Sequence, residues 1–260
     1  MSYQTLIVER DKGIGVIQLN RPEKRNSITF QMMDELEAAL DDLSEGNDTR
    51  VVIITGDEHA FSSGMDLNGM KDIGSPREFT AYMTRWRVLN KAIEMCTRPV
   101  ISAIEGYCYT GGFELALACD VRVGAEGSSY AITSSKIGTV PGAGGTQRLP
   151  RIVGIPNALD ILFSADPIDA QRAYQLGVLQ RLTSKGGALS GARELARSYA
   201  IRAPMSLQFN KRAVYAGMQM PLSEALEFEG FMVNTIYNSS DKREGILAFL
   251  EKRPARFTGT

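Results

Sequence analysis

Histidine is almost absent from this 260-residue chain, which has one copy, His59. A metal cluster built on imidazoles is therefore excluded, and a Ser-His-Asp triad would have to use a residue in the polar turn Gly56-Asp-Glu-His-Ala, where a solvated loop histidine is expected. Cysteine is also scarce. Cys96, Cys108 and Cys119 are odd in number, lie in or beside apolar segments and show no C-x-x-C spacing, which argues against a disulfide framework and against a zinc site. They read as core thiols in a reducing compartment. An excess of charge of one sign is missing as well: 29 Lys and Arg face 30 Asp and Glu, for a net charge of −1. Neither a nucleic-acid groove nor an anionic membrane surface is expected as a partner. No segment reaches the roughly 18 apolar residues of a membrane span, and the N-terminus, Met1 to Arg10, has neither a basic lead nor a long apolar run. The expected location is cytoplasmic. Internal repeats and low-complexity tracts are absent.

What is there centres on Pro99 to Asp120. Val100 to Ile104 is a short apolar run with β-branched residues directly after a proline, which suits a strand buried on both faces. Gly106, Gly111 and Gly112 come next and permit sharp turns and close backbone approach. From Gly112 onward, Phe113, Leu115, Ala116, Leu117, Ala118 and Cys119 leave almost no polar face, so a helix here should be internal. Glu114 is the exception. A helix beginning at a glycine turn has unpartnered N–H groups that attract negative charge. If Gly111 presents such an N–H, Glu114 lies about one turn along the same face, and a donor and a carboxyl converge as in acid/base chemistry beside an anion hole. The alternative is a structural ion pair with an Arg or Lys elsewhere. The helix N-terminus would lower the glutamate pKa and apolar burial would raise it.

Along the chain, Leu6 to Leu19 predicts a hairpin turning at Lys12-Gly13, and Ser27 or Thr29 can cap a helix carrying Met32, Met33, Leu36, Ala39, Leu40 and Leu43. Val51 to Thr55 reads as a buried parallel strand. Phe61 to Leu67 reads as a loop entering a helix that Asp66 caps, and the stretch 68–76 as a mobile flap. Helical spacing returns from Arg77 to Thr97. The recurring alternation of strand and helix from residue 51 predicts an α/β fold with right-handed crossovers in a mostly parallel sheet, extended by Val121 to Val123 and Tyr130 to Ile132. Gly138 to Arg148 is glycine-rich, but no lysine follows the glycines and the G-x-G-x-x-G spacing fails at Gln147, so a phosphate loop is rejected. Beyond residue 155 helices dominate, with Val178 to Leu182 extended. Residues 1–200 are expected to form the α/β core and 201–260 a helical region. The broad apolar face from Leu222 to Met232 points to self-association.

Five ordered stretches carry a family resemblance: Asn20-Arg-Pro-Glu-Lys-Arg-Asn-Ser, Ala60-Phe-Ser-Ser-Gly-Met-Asp-Leu, the stretch Ala103 to Ala116, Gly138-Thr-Val-Pro-Gly-Ala-Gly-Gly-Thr-Gln-Arg-Leu, and Glu244-Gly-Ile-Leu-Ala-Phe-Leu-Glu-Lys-Arg. The chain resembles the enoyl-CoA hydratase/isomerase family, the crotonases, over nearly its whole length. The resemblance implies a crotonase-like spiral of β-β-α units, a C-terminal helical trimerisation region, homotrimers or dimers of trimers, and an acyl-CoA thioester substrate. It implies no separate cofactor, since coenzyme A is part of the substrate, and no metal. An oxyanion hole for the thioester oxygen falls on the N–H groups of Met65 and Gly111.

Of the two glutamates of a typical hydratase of this family, the first falls on Glu114 and the second on Ser134. A serine does not hold a proton as a carboxyl does, though its hydroxyl can orient water or a substrate oxygen. Glu105, which replaces an asparagine often found before the glycine of the strand-turn motif, reads as structural. By resemblance Ser63, Gly64 and Leu67 frame the adenine, Arg25 and Lys71, with Lys24, stand in for phosphate-binding lysines, and Phe257 marks the C-terminal CoA contact. The expected reaction is hydration of a 2-enoyl-CoA to a 3-hydroxyacyl-CoA. An enoyl-CoA isomerase or other single-carboxylate reaction is the alternative, and a non-catalytic acyl-CoA-binding protein a third.

Overall fold

Two successive positive φ values, 47° at Lys12 and 82° at Gly13, turn the chain from β1 (Leu6–Asp11) into the antiparallel β2 (Ile14–Leu19), as a two-residue hairpin loop requires. The structure is a computed structural model that describes residues 3–46, 48–70 and 73–260. Helix α1 (Phe30–Ser44) is capped by Thr29, whose hydroxyl accepts from the Met32 N–H at 3.2 Å; of the two candidate caps, the sequence position nearer the apolar face is used. Next come β3 (Val51–Thr55), β4 (Ala60–Ser62), α2 (Leu67–Met70) and α3 (Pro76–Met95), the last capped by Ser75. The strand-turn-helix stretch is β5 (Val100–Ile104), β6 (Tyr107–Tyr109) and α4 (Gly111–Ala118). After β7 (Val121–Ala125) and β8 (Ser129–Ala131), α5 (Gly145–Val153) and α6 (Ile155–Ser164) lead to β9 (Ile168–Asp169), α7 (Ala170–Gln175) and β10 (Arg181–Thr183). Four helices end the chain: α8 (Ala188–Ala200), α9 (Pro204–Gly217), α10 (Leu222–Ile236) and α11 (Ser240–Leu250).

The strands form two sheets. One has the order β1-β2-β3-β5-β7-β10, parallel from β2 onward; the other has the order β4-β6-β8-β9, parallel except for β9. The pairs β3-β4, β5-β6 and β7-β8 each give one strand to each sheet and are followed by a helix, which is the β-β-α unit of the expected spiral. Two expectations read from the residues change here. Phe61 and Ser62, expected in a loop, belong to strand β4, and Tyr130-Ala131 belongs to the second sheet instead of extending the first. Strands of three residues are too short to show a period, and burial on every side removes the alternation that would mark them. Gly106 makes the switch between sheets possible: at its φ of 55° a Cβ would fall 1.8 Å from the His59 carbonyl oxygen.

The continuous apolar runs serve two cores. Val52 and Ile54 join Val100, Ile104 and residues of α1, α3 and α4 in the larger one. Their neighbours Val51 and Ile53 face the other way, with Ile101, Ala103 and Val123, onto Ala188, Ala192 and Ala196 of α8. Alanines four apart give α8 a flat face that can lie close to the sheet.

The C-terminal helices are tied to this core by Lys211 on α9. Its Nζ pairs with Asp120 Oδ2 at 2.8 Å, just past α4, and donates to the carbonyl of Ile93 at 2.9 Å. Asp120 Oδ2 also accepts from the Val100 N–H at 2.7 Å, so one carboxylate joins α4, β5 and α9. Lys211→Met should lower the unfolding free energy by about 3 kcal/mol in urea titrations, because it leaves a buried carboxylate without its cation. Adding Asp120→Asn should recover part of that loss.

Candidate active site

Met65 and Gly111 come together through two separate supports. Arg21, Asn26 and Ser27 of the early polar motif hold the segment around Met65. Asn26 is fully buried and its Nδ2 donates to Asp57 and to the Ala60 carbonyl, both at 2.9 Å, while Arg21 Nη1 donates to the Ser27 carbonyl and pairs with Asp66. Ser62 Oγ donates to the Asn26 carbonyl and accepts from the Gly64 N–H. A single bridge joins Ile28 and Met65; it uses the Gly64 carbonyl and the Asp66 N–H. In a parallel bridge of this kind the Met65 N–H points away from Ile28.

Gly111 is the first residue of α4, so its N–H has no partner within the helix. Thr110 before it has φ 45° and ψ −112°, a conformation that costs a non-glycine residue about 1–3 kcal/mol. Thr110 is held there by its N–H to the Ala131 carbonyl at 2.7 Å and by its hydroxyl against that of Thr133 at 2.8 Å. A Cβ on Gly111 would lie 3.3 Å from the Met65 nitrogen and 2.8 Å from the Trp86 ring. The two N–H groups are therefore neighbours beneath a buried indole, and among the described residues neither has a protein acceptor. Gly64, at φ 92°, permits the approach: its Cβ would meet the Gly111 nitrogen at 2.8 Å.

Glu114 lies one turn along α4 and is 2% exposed. No cation forms an ion pair with it among the described residues. Instead the Gly145 N–H at the start of α5 donates to Oε1 at 2.7 Å. Burial raises its pKa to about 7, against the pull of the Gly145 and Ala143 N–H groups and of the Arg148 charge. Between the two influences that the sequence sets in opposition, burial prevails. A carboxyl that titrates near neutrality can both take and give a proton.

Ser134 is buried at the start of a short 3-10 turn, Ser134–Ile137. The Thr133–Thr110 hydrogen bond brings it to the residue that precedes Gly111, and among the described residues its hydroxyl has no hydrogen-bond partner. On the outer side, Ser63 donates its N–H to the Arg25 carbonyl at 2.9 Å, Arg25 lies exposed with its guanidinium 5.8 Å from the Tyr107 ring centre, and Leu67 is exposed at the start of α2. Arg25, Ser63, Gly64 and Leu67 thus form one rim beside Met65. Lys71 and part of the 68–76 flap lie outside the described residues. Phe257 is not brought to this cluster within the chain. Its carbonyl accepts from Arg50 Nη2, at the start of β3, whereas Gly111 follows the other end of the sheet. Glu105 accepts from the N–H groups of Gly186 and Ala188 and caps α8, a structural task. His59 is exposed and the three cysteines are free and buried.

Sequence reasoning missed Gly145, which supplies the N–H on Glu114, and the strain at Thr110. The glycines of the 142–145 segment were the signal for the first: a Cβ on Gly145 would sit 3.1 Å from Glu114 Oε1. Nothing in the sequence marks the second.

With this geometry in place, comparison with known proteins is informative. The family model described as enoyl-CoA hydratase/isomerase matches residues 9–260. A probable enoyl-CoA hydratase of Mycobacterium bovis is 34% identical over 99% of both chains, and a crotonyl-CoA hydratase of Syntrophomonas wolfei is 31% identical over 99% of both. A crystal structure of an enoyl-CoA hydratase from Bacillus anthracis superposes with a TM-score of 0.95 at 33% identity, covering 99% of this chain and all of that one. The five motifs, the two-sheet spiral and these full-length similarities agree: the chain belongs to the enoyl-CoA hydratase/isomerase family.

Proposed function

We propose that this protein hydrates a 2-enoyl-CoA to a 3-hydroxyacyl-CoA, with Glu114 carrying the proton and the N–H groups of Met65 and Gly111 forming an oxyanion hole. The observation that carries the reading is a buried carboxyl, its pKa raised by burial to about 7, one helical turn from two neighbouring N–H donors that have no protein acceptor among the described residues. The ionised Glu114 takes a proton from water as the water oxygen bonds to C3. The electron pair of the C2–C3 double bond moves onto the thioester, and the enolate oxygen is held by the two N–H groups. Glu114 then returns its proton to C2. Each such donor contributes about 3 kcal/mol to a transition state of this kind. Ser134, buried and with a hydroxyl that has no partner among the described residues, is suited to orient the water.

The rim of Arg25, Ser63, Gly64 and Leu67 is the side from which the CoA moiety would approach; Phe257, which the chain itself does not bring to this rim, is kept as the C-terminal CoA contact, and Lys71, outside the described residues, as a phosphate-binding cation on the resemblance alone. The relatives' printed names, enoyl-CoA and crotonyl-CoA hydratase, support the substrate class. A second reading arises from Ser134 in place of a carboxyl: a single glutamate that moves a proton between two carbons would make an enoyl-CoA isomerase. A binding protein without turnover is disfavoured, since an unpaired buried carboxyl costs stability and adds nothing to binding. We also propose a homotrimer or dimer of trimers in the cytoplasm. Leu222, Leu226, Phe231 and Val233 stand exposed on α10, an apolar face that assembly would cover. The free buried cysteines suit a reducing compartment. Among the described residues no helix is long and apolar enough to cross a membrane.

Glu114→Gln should reduce turnover of a short 2-enoyl-CoA by about 10³-fold or more while leaving the affinity for the saturated thioester unchanged by calorimetry. Retained turnover would remove Glu114 from the mechanism. Incubation with 2-enoyl and 3-enoyl esters separates the two reactions: hydration consumes the conjugated-thioester absorbance, and isomerisation of the 3-enoyl ester creates it. Stability should carry the same carboxyl. Because the folded pKa of about 7 lies above the unfolded value of 4.5, the folded state keeps a proton that the unfolded chain releases, and stability falls as pH rises between those values. Above pH 7 Glu114→Gln should therefore be more stable than the parent by up to about 3 kcal/mol, and the gap should close by pH 4.5 in urea titrations.

A further inference from the structure

Behind Glu114, polar side chains from two helices converge on one carbonyl. Asn90 Nδ2, on α3, donates to the Ala143 oxygen at 2.6 Å, and Arg148 Nη1, on α5, donates to the same oxygen at 3.0 Å. Arg148 Nε pairs with Glu94 Oε1 at 2.7 Å, also from α3. Ala143 stands two residues before Gly145, the donor to Glu114. Glycine is what lets the loop close this tightly. Gly144 has φ 110°, and a Cβ there would fall 1.8 Å from Arg148 Nη1. The glycine-rich segment that fails as a phosphate loop is therefore shaped to seat an arginine on one side and a carboxyl on the other.

Asn90 is wholly buried, and its Oδ1 has no hydrogen-bond partner among the described residues. A half-satisfied buried amide weakens a fold, so stability alone does not account for it. Arg148 and Glu94 are mostly buried and line one wall of a cleft of about 860 Å³ whose lining includes neither Met65 nor Gly111.

We propose that Asn90, Arg148 and Glu94 are positioning residues for the Glu114 carboxyl: Asn90 and Arg148 clamp the Ala143 carbonyl so that the Gly145 N–H stays aimed at Glu114, and Glu94 shares the Arg148 charge that would otherwise act on the carboxyl alone. The consequence for turnover rests on Glu114 as proton carrier; the effect on the carboxyl itself does not. The ionisable groups on the elements packed against α4 are few. Helix α5 brings Arg148, with the exposed Arg151 turned to the Gln147 carbonyl. Helix α3 brings Glu94, Arg87 and Lys91 on the cleft side, Tyr82, whose hydroxyl is pushed up to about 12 by burial, Arg85, which pairs with Asp34 and Glu37, and the exposed Arg77 and Glu78 of its first turn. Strand β6 brings the phenols of Tyr107 and Tyr109 and the thiol of Cys108, which burial raises well above its usual value. Strand β4 brings none. Arg148 is the charge that acts on Glu114.

The test is an infrared titration of the substrate-free protein, with Glu114→Gln identifying the carboxyl band. Removing the cation in Arg148→Gln should raise the Glu114 midpoint, and removing its counter-charge in Glu94→Gln should lower it, each by about half a pH unit or more. The acid limb of kcat against pH should move in the same two directions. Asn90→Ala should lower kcat about tenfold at unchanged KM. Midpoints within about 0.2 unit of the parent in both charge variants would overturn the proposal, since a purely structural pair leaves the carboxyl where it was. Glu94 is partly exposed, so its variant decides the question even if Asn90→Ala fails to fold. Midpoints that shift as expected in a protein whose turnover survives Glu114→Gln would support the positioning and reject the catalytic reading of Glu114.

Discussion

The hydrogen bond from the Gly145 N–H to Glu114 is the contact on which the site depends. An isolated carboxyl inside a largely apolar helix would stay protonated well above neutrality, and one paired with a full positive charge would stay ionised. A backbone donor and a cation at one remove give an intermediate result, a pKa of about 7. The same bond joins α4 to α5 across the loop 142–144, so the electrostatics of the carboxyl and the packing of the two helices are one constraint.

Around that contact the fold accumulates local cost. Thr110 has a positive φ although it is not glycine, and among the described residues Asn90 buries an oxygen and Trp86 an indole N–H that lack a partner within hydrogen-bond geometry. All three lie within the shell that sets Gly111 and the 143–145 loop. Strain persists where the surroundings over-determine the conformation, and here two sheets and three helices meet at the chain segment that carries it. The stabilising burial comes from the two apolar layers on either side of the six-stranded sheet, the larger of which takes in Trp86 and Ala143.

Much of the architecture was legible in the residues. The hairpin at Lys12-Gly13, the buried run Val51 to Thr55, the capped helix α1 and the helical C-terminal region all carry local signals, because caps, positive-φ turns and helical periodicity are set by near neighbours. The second sheet was not legible from pattern alone. Its strands are two or three residues long, and Ala60 to Ser62 is buried throughout, so no alternation survives to be read. The motif resemblance supplied the spiral that periodicity did not. At the site, Glu114 and Gly111 stood out because a lone carboxyl in an apolar helix and a glycine turn are both visible in one dimension. Gly145, Asn90 and Arg148 did not stand out, since each acts on Glu114 only through contacts that lie 24 to 34 residues away in the chain.

By itself, then, the sequence determined which elements form, which helix is internal and which of its residues is chemically out of place, because these come from side-chain chemistry and spacing. Only the tertiary structure decided the state of that residue. Whether burial or donors prevail at Glu114 depends on how closely α5 approaches α4, and that distance is set by glycines and a buried clamp from α3. Phe257 shows the same dependence in reverse: a plausible contact in the sequence, it lies within the chain against the opposite end of the sheet, where Arg50 donates to its carbonyl and Gly245 leaves room for its ring.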